Sequence, residues 1–276
     1  MPASIPDAPA AHAAISAERG ASTRSAIARI AELVIHLAIR ELQSLHRFAL
    51  LGWAWPVLRQ LAQLGVLVLV FSNVVDLHVH HYALFVLVGL MGWTWFSAGI
   101  SAAADSLASR RHLVFQARFP DLALPVVAVL VPAIDVVLTL PILLVLVIAD
   151  GALQPAVALL PLLLILQFVL MCGLGWLAAS ISVYLRDVPN IIGLGLLLLF
   201  YLTPVFYDFA RVPSRYAWAL RLNPMTTLID GYRSAFLDRP VPAVGDLLGL
   251  GGATAVLAVA GWLVFRRLQP AFVDEL

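Results

Sequence analysis

The sequence contains no lysine: all 17 of its basic residues are arginine. A P-loop requires a lysine on the β/γ-phosphates, so the chain cannot hydrolyse ATP through a P-loop of its own. Cysteine occurs once, as Cys172 inside a hydrophobic run, which excludes an intrachain disulfide and a cysteine-based metal site. Charge is scarce, at 12% of the 276 residues, against 62% hydrophobic residues and a mean hydropathy of +0.96. A soluble domain, whose apolar share is usually about half, is thereby excluded. No Ser-His-Asp set and no compact acid–base pair occurs, so no enzyme site, no metal site and no resident cofactor is expected, and no nucleic-acid partner.

What is present is apolar and continuous. Runs such as Pro141–Ala149 and Leu194–Phe200 do not alternate as barrel strands would, and about 20 apolar residues cross a ~30 Å hydrocarbon core as a helix. The expected fold class is an all-α membrane protein. Six spans are expected at Trp55–Val75, Tyr82–Ala104, Leu122–Ala149, Pro155–Tyr184, Ile191–Pro204 extended by Val205–Tyr207, and Val244–Phe265. Residues 1–24 have no apolar core and read as a disordered tail rather than a signal peptide. In residues 25–54, Arg29, Glu32, His36, Arg40, Gln43 and Arg47 form one stripe, with Ile27, Ile30, Val34, Leu37, Leu42 and Leu45 largely opposite. That pattern is an amphipathic helix suited to the membrane interface, followed by a six-helix domain over 55–276.

Arginine placement sets the orientation. The N-terminal region, the connection with Arg110, Arg111 and Arg118, the turn with Arg186, and the tail with Arg266 and Arg267 alternate as cytoplasmic segments, which puts both termini in the cytoplasm. The stretch Pro204–Pro242 then falls outside, despite five arginines and five prolines.

Few residues within this frame carry chemistry. Asp76–His81 reads DLHVHH, and its three imidazoles lack helical ligand spacing, so a polar turn is the better reading than a metal site. Asp135 lies within a span, where a carboxylate is costly; it serves either a substrate path or subunit contact, or is a protonated or helix-paired structural group. Gly245-x-x-x-Gly249 with Gly251 and Gly252 offers a small-residue face for packing in the monomer or between copies, and Gly173, Gly175, Gly193 and Gly195 read the same way. Residues 106–119 are suited to a short amphipathic helix at the cytoplasmic face.

Several motifs occur in order: Leu51-Gly52-x-x-Trp55, Gly89-Leu90-x-x-Trp93-x-x-Phe96, Ser106-Leu107 through Arg118-Phe119-Pro120, and Tyr184-x-Arg186-Asp187. Thr203-Pro204-Val205-Phe206-Tyr207, Leu222-Asn223-Pro224-Met225 and Gly231-Tyr232-Arg233 follow. From about Arg40 to Phe272 the chain resembles the permease subunits of ABC exporters that move polysaccharides and polyol phosphates, the O-antigen, capsule and teichoic-acid group. It departs from that pattern in having Arg59-Gln60, with Pro56 nearer the tryptophan, and Gln116-Ala117-Arg118 in place of a lysine-rich segment.

The resemblance implies a permease in the bacterial inner membrane, paired with a second copy of itself and two ATP-binding subunits that hold ATP and Mg. It implies a lipid-linked glycan such as O-antigen as cargo, amid membrane lipids. It further implies a coupling helix at about 106–119, with Ser106, Leu107, Arg110, Arg111, Phe115, Arg118 and Phe119. A pair of short re-entrant helices over about 204–242 would form a periplasmic gate, with Asn223-Pro224 near their junction. Trp93, Phe96, Tyr201, Phe206, Tyr207, Tyr216, Trp218, Asn223 and Tyr232 would line the channel and gate. Two other readings compete: export of small lipophilic molecules by the same architecture, and a membrane enzyme acting on lipid-linked sugars without ATP.

Overall fold

The structure, a computed structural model, describes residues 28–44, 52, 54–73, 82–116, 119–149 and 155–275. The expected tail over 1–24, the histidines at 78, 80 and 81, and Arg118 lie outside the described residues. The first helix, α1, spans residues 28–44 and has three sides rather than two. Val34 and Ala38 are buried against Ala123, Val127 and Val131. At about 100° per residue, Ile35 and Ile39 point roughly a third of a turn away and stay exposed, while Arg29, Glu32, His36, Arg40 and Gln43 occupy the opposite side, exposed. A helix with protein-facing, apolar and charged sides fits the plane where bundle, lipid and water meet.

Gly52 adopts a φ of 45°, a left-handed conformation that costs a side-chain-bearing residue free energy, immediately ahead of α2 (Ala54–Asn73). The central helix is α3 (Tyr82–Ser109), 28 residues long and buried along most of its length. A single turn, α4 (Arg111–Val114), follows. Next come α5 (Ala123–Leu130) and α6 (Ala133–Ala149), separated by a break at Val131-Pro132, where proline supplies no N–H to continue the ladder. Close to this break Trp95 Nε1 donates to the Val129 carbonyl at 3.0 Å, joining α3 to α5. A 3-10 turn (Pro155–Leu159) leads into α7 (Leu160–Tyr184), and α8 (Val188–Leu202) follows. Two short helices, α9 (Ser214–Arg221) and α10 (Pro224–Phe236), precede the long α11 (Val244–Leu268) and the one-turn α12 (Phe272–Glu275).

All regular secondary structure among the described residues is helical, without strands, as expected. Five stretches are long and apolar enough to cross a membrane: 54–71, 82–109, 123–148, 155–184 and 244–275. The sixth, α8, has 15 residues, or about 22 Å, short of a ~30 Å core. The span expected to run on through Val205–Tyr207 therefore ends at Leu202; Thr203–Val205 continue as buried, non-helical chain.

Helices α7 and α11 form the most extensive pairing in the fold. They touch at Gly173 and Gly261: a Cβ added at Gly261 would lie 2.1 Å from the Gly173 carbonyl oxygen, and one at Gly173 would lie 2.7 Å from the Ala258 backbone. Gly245, Gly249, Gly251 and Gly252 face open space, as do Gly193 and Gly195. The small-residue face read from the sequence is thus not what packs α11 in the monomer; the contact lies three turns further along the same helix. A second, smaller core gathers Leu107, Val114, Leu124, Ala179, Val183, Phe265 and Phe272 at the arginine-bearing end of the bundle. There the rings of Phe265 and Phe272 meet edge-on at 5.2 Å.

Candidate functional site

Polar residues inside apolar helices converge on a cavity of about 460 Å³ between α2, α3, α6 and α8. Asp135 of α6 lines it together with Arg59, Gln60 and Gln63 of α2, Thr94 and Ser97 of α3, and the rings of Trp93, Phe200 and Tyr201. Gln60 is 4% exposed; its Oε1 accepts from Thr139 Oγ1 at 2.6 Å, while its Nε2 has no hydrogen-bond partner among the described residues. A buried amide donor of this kind costs free energy until something polar enters. Leu197 and Tyr201, on the α8 wall, are 55% and 59% exposed, so that wall is incomplete in one copy of the chain.

An aromatic ladder leads away from the cavity. Trp93 lies 5.5 Å from Phe96 and 5.7 Å from Phe200; Phe200 lies 5.4 Å from Tyr201 and 5.5 Å from Phe206. Phe206 continues to Tyr207 at 5.2 Å and to Phe71 at 5.1 Å. Trp93 and Phe96 are buried, Phe206 and Tyr207 half-buried, and Tyr201 exposed. These separations are those of interacting rings.

The non-helical chain after α8 is held by side chains that satisfy its carbonyls, as backbone without helix must be wherever water is scarce. Arg233 Nη2 donates to the Val205 carbonyl at 2.7 Å, and Tyr82 Oη donates to the Phe206 carbonyl at 2.8 Å. Gly89 explains its own place in the sequence motif: a Cβ there would lie 2.6 Å from the Val205 oxygen. The guanidinium of Arg233 is 3.5 Å from the Phe85 ring centroid, and Nη1 is 3.6 Å from Asp230 Oδ1. Asn223 caps α10 by accepting from the Met225 N–H at 3.0 Å, and its Nδ2 donates to Thr203 Oγ1 at 2.8 Å.

Tyr232 differs from the expectation of a gate-surface residue. It is fully buried, donating to Gln167 Oε1 at 2.8 Å, while Gln167 Nε2 donates to the Gly92 carbonyl at 2.8 Å. Its part is to lock α10 onto α7 and, through Gln167, onto α3. Tyr216 and Trp218 on α9 are exposed, 51% and 66%.

Asp208 and Arg239 bridge the two ends of this segment at 2.8 Å. Burial disfavours the Asp208 carboxylate, but the hydrogen bond and charge of Arg239 and the N–H of Ala210 outweigh it, leaving the pKa below the ordinary value. A folded-state pKa below the unfolded one gives stability that is present above the unfolded pKa and lost as pH falls through the folded one. Asp208→Asn is therefore expected to cost about 1 kcal/mol at pH 7, because the pair is partly exposed. The difference in Tm from wild type narrows below about pH 4; a gap unchanged at pH 3 would show that charge is not its source.

At the opposite end, the expected helix over 106–119 resolves differently. Ser106 and Leu107 belong to the buried last turns of α3, and the chain turns at Arg110 into the single turn of α4. Arg110 pairs with Glu41 of α1. Arg111 is exposed, Phe115 is 51% exposed, and Phe119 packs against the second core. Arg111 also lines a cleft of about 400 Å³ with Asp105, Arg186 and Glu275.

The sequence picked out Asp135 but missed its grouping with Arg59, Gln60 and Gln63, and it missed Gln167 as the partner of Tyr232. Their signal was present, as polar residues within apolar spans that were not mapped onto facing helices.

A cavity with polar and aromatic walls inside an apolar helical bundle, continued by an aromatic path toward the chain that precedes two short helices, defines a membrane transporter subunit. The chain belongs to the ABC-2 type transporter family, whose sequence pattern matches residues 32–237. It is 32% identical over 248 residues to the O-antigen export system permease protein RfbA of Myxococcus xanthus, covering 88% of this chain and 95% of that protein. The protein of the same name from Klebsiella pneumoniae is 23% identical over 250 residues, covering 89% and 95%.

Proposed function

We propose that this chain is the membrane-spanning permease of an ATP-driven exporter that moves a lipid-linked polysaccharide of the O-antigen kind across the bacterial inner membrane. The observation that carries the proposal is the cavity, in which amide, hydroxyl and guanidinium groups stand beside tryptophan and tyrosine rings. Hydroxyl-rich sugar rings meet both demands, presenting hydrogen-bonding edges to the polar groups and C–H faces to the aromatics. A small lipophilic cargo would leave the buried Gln60 Nε2 without a partner among the described residues, which is unfavourable. A second copy of the chain, packing on the exposed α8 face of Ile191, Leu194 and Leu198, supplies the wall that one copy lacks.

Energy comes from two separate ATP-binding subunits, which hold ATP and Mg. The exposed turn of α4, with Arg111 and Phe115, is the docking surface, and the buried α3 carries displacement from it toward Trp93. With both termini in the cytoplasm, α9 and α10 stand on the periplasmic side as the gate. The test is to co-express the chain with the ATPase encoded beside it and to assay vesicles for ATP-dependent movement of lipid-linked glycan. Failure to form a complex, or movement that is indifferent to ATP, would overturn the proposal.

Charge reversal separates docking from folding. Arg111→Glu is expected to weaken the ATPase complex at least about fivefold, the effect of roughly 1 kcal/mol at a charged rim. Arg110→Glu additionally sets two carboxylates against each other at Glu41, and Glu41→Arg in the same chain restores the α1 contact. Pull-down of the ATPase measures both; wild-type affinity in Arg111→Glu would remove α4 from the docking surface.

A further inference from the structure

We propose that the cleft between α1 and the α3–α4 elbow binds the phosphate of a membrane lipid. The cleft measures about 650 Å³ and lies where α1 meets the bundle. Arg40, Arg110 and His112 form its polar wall, and Leu37, Leu113 and Val127 its apolar floor. Glu41 is the acidic residue lining it, and Glu41 is neutralised by Arg110. Arg40 has no acidic partner among the described residues, so one guanidinium of positive charge is left uncompensated at the mouth.

Three further features fit a lipid phosphate rather than a dissolved anion. A guanidinium presents parallel N–H donors that match phosphate oxygens, and Ser109 and Gln116 add hydroxyl and amide groups within the same cleft. The apolar floor accommodates the start of a hydrocarbon chain, which inorganic phosphate lacks. Ile35 and Ile39, exposed on the adjacent side of α1, place that helix at the level of the headgroups. An anionic glycerophospholipid and a polyisoprenyl diphosphate share this chemistry, and the site does not depend on what cargo the cavity carries.

The full-length protein in detergent, incubated with short-chain phosphatidylglycerol, short-chain phosphatidylcholine, farnesyl diphosphate or inorganic phosphate, provides the test by native mass spectrometry. Phosphatidylglycerol or farnesyl diphosphate is expected to be retained in preference to phosphatidylcholine, and the tighter of the two identifies the source. Arg40→Gln weakens that binding about fivefold, the effect of one basic residue at a membrane surface, and Arg40→Lys recovers part of it. Arg267→Gln, an equal change of charge on an exposed position of α11, leaves binding unchanged. Arg40 is exposed, so its replacement leaves the fold intact, which an unchanged elution profile verifies. Binding unaffected by Arg40→Gln, equal loss in Arg267→Gln, or inorganic phosphate binding as tightly as either lipid would each overturn the proposal.

Discussion

Gly261→Ala is expected to prevent stable packing of the bundle, although it adds one methyl group and improves helix propensity. On propensity alone the exchange favours the helix by about 1 kcal/mol. Against that, the new carbon would sit 2.1 Å from the Gly173 oxygen and 2.9 Å from its carbonyl carbon. Both obstacles are backbone atoms, so no side-chain rotation relieves them; α7 and α11 must separate. Overpacking usually costs ~1–3 kcal/mol, and this site lies at or beyond the upper end because the displaced contact belongs to the most extensive helix pair in the fold. Close backbone approach at small residues holds such pairs together in lipid, where no hydrophobic drive exists between helices.

Gly249→Ala, on the same helix but facing open space, isolates the effect. It is expected to raise the Tm of the detergent-solubilised monomer slightly, while Gly261→Ala lowers it by several degrees or shifts the protein into aggregates on size-exclusion chromatography. Equal behaviour of the two variants would mean that the helices do not meet at Gly173 and Gly261.

These two glycines show where the sequence speaks and where it falls silent. Apolar runs announced the spans, and five of the expected stretches correspond closely to helical segments at Ala54–Asn73, Tyr82–Ser109, Ala123–Ala149, Pro155–Tyr184 and Val244–Leu268. Length and hydropathy are local, so a single chain displays them. The partner of a glycine is not local. Gly245-x-x-x-Gly249 has a strong pattern and open surroundings, while Gly261 has no pattern and a neighbour at contact distance.

The end of α8 was misjudged for a related reason. Val205–Tyr207 are apolar enough to extend a span, and what diverts them is a set of distant groups on Tyr82, Gly89 and Arg233. Tyr232 illustrates the converse: an aromatic in a polar, proline-rich stretch suggests a surface, yet α10 turns that residue inward onto Gln167. By contrast, the junction at Asn223-Pro224 came from the family resemblance, and the structure shows the local device behind it: Asn223 caps α10 and proline takes its first helical position.

Arg233→Met is expected to loosen the segment after α8 without unfolding the protein. Two opposing effects decide this. The arginine is 1% exposed, and Nε and Nη1 lack hydrogen-bond partners among the described residues, so removing the charge relieves a desolvation cost. Replacing a buried charge with a hydrophobic residue of similar volume is often neutral for global stability. Locally the balance is different. The Val205 carbonyl loses a charge-assisted hydrogen bond of ~1.5–3 kcal/mol, and Phe85 loses a cation resting 3.5 Å from its ring. Asp230 does not become an isolated buried charge, since its side chain is 38% exposed.

A loss of that size raises the population of the opened segment by about 10- to 150-fold. Hydrogen–deuterium exchange over residues 203–209 should accelerate accordingly, while exchange in α7 and α11 and the Tm of the protein stay near wild type. Tyr82→Phe, which removes only the neutral bond to the Phe206 carbonyl, should produce a smaller change of the same kind. Exchange that remains unaltered in Arg233→Met would show that the segment is held by packing at Gly89 and Phe206. Exchange that rises throughout the bundle would show instead that Arg233 sustains the fold as a whole. If only residues 203–209 respond, the buried arginine is a latch on the chain after α8, and the paired motifs Gly89-Leu90 and Tyr232-Arg233 are the two halves of its socket.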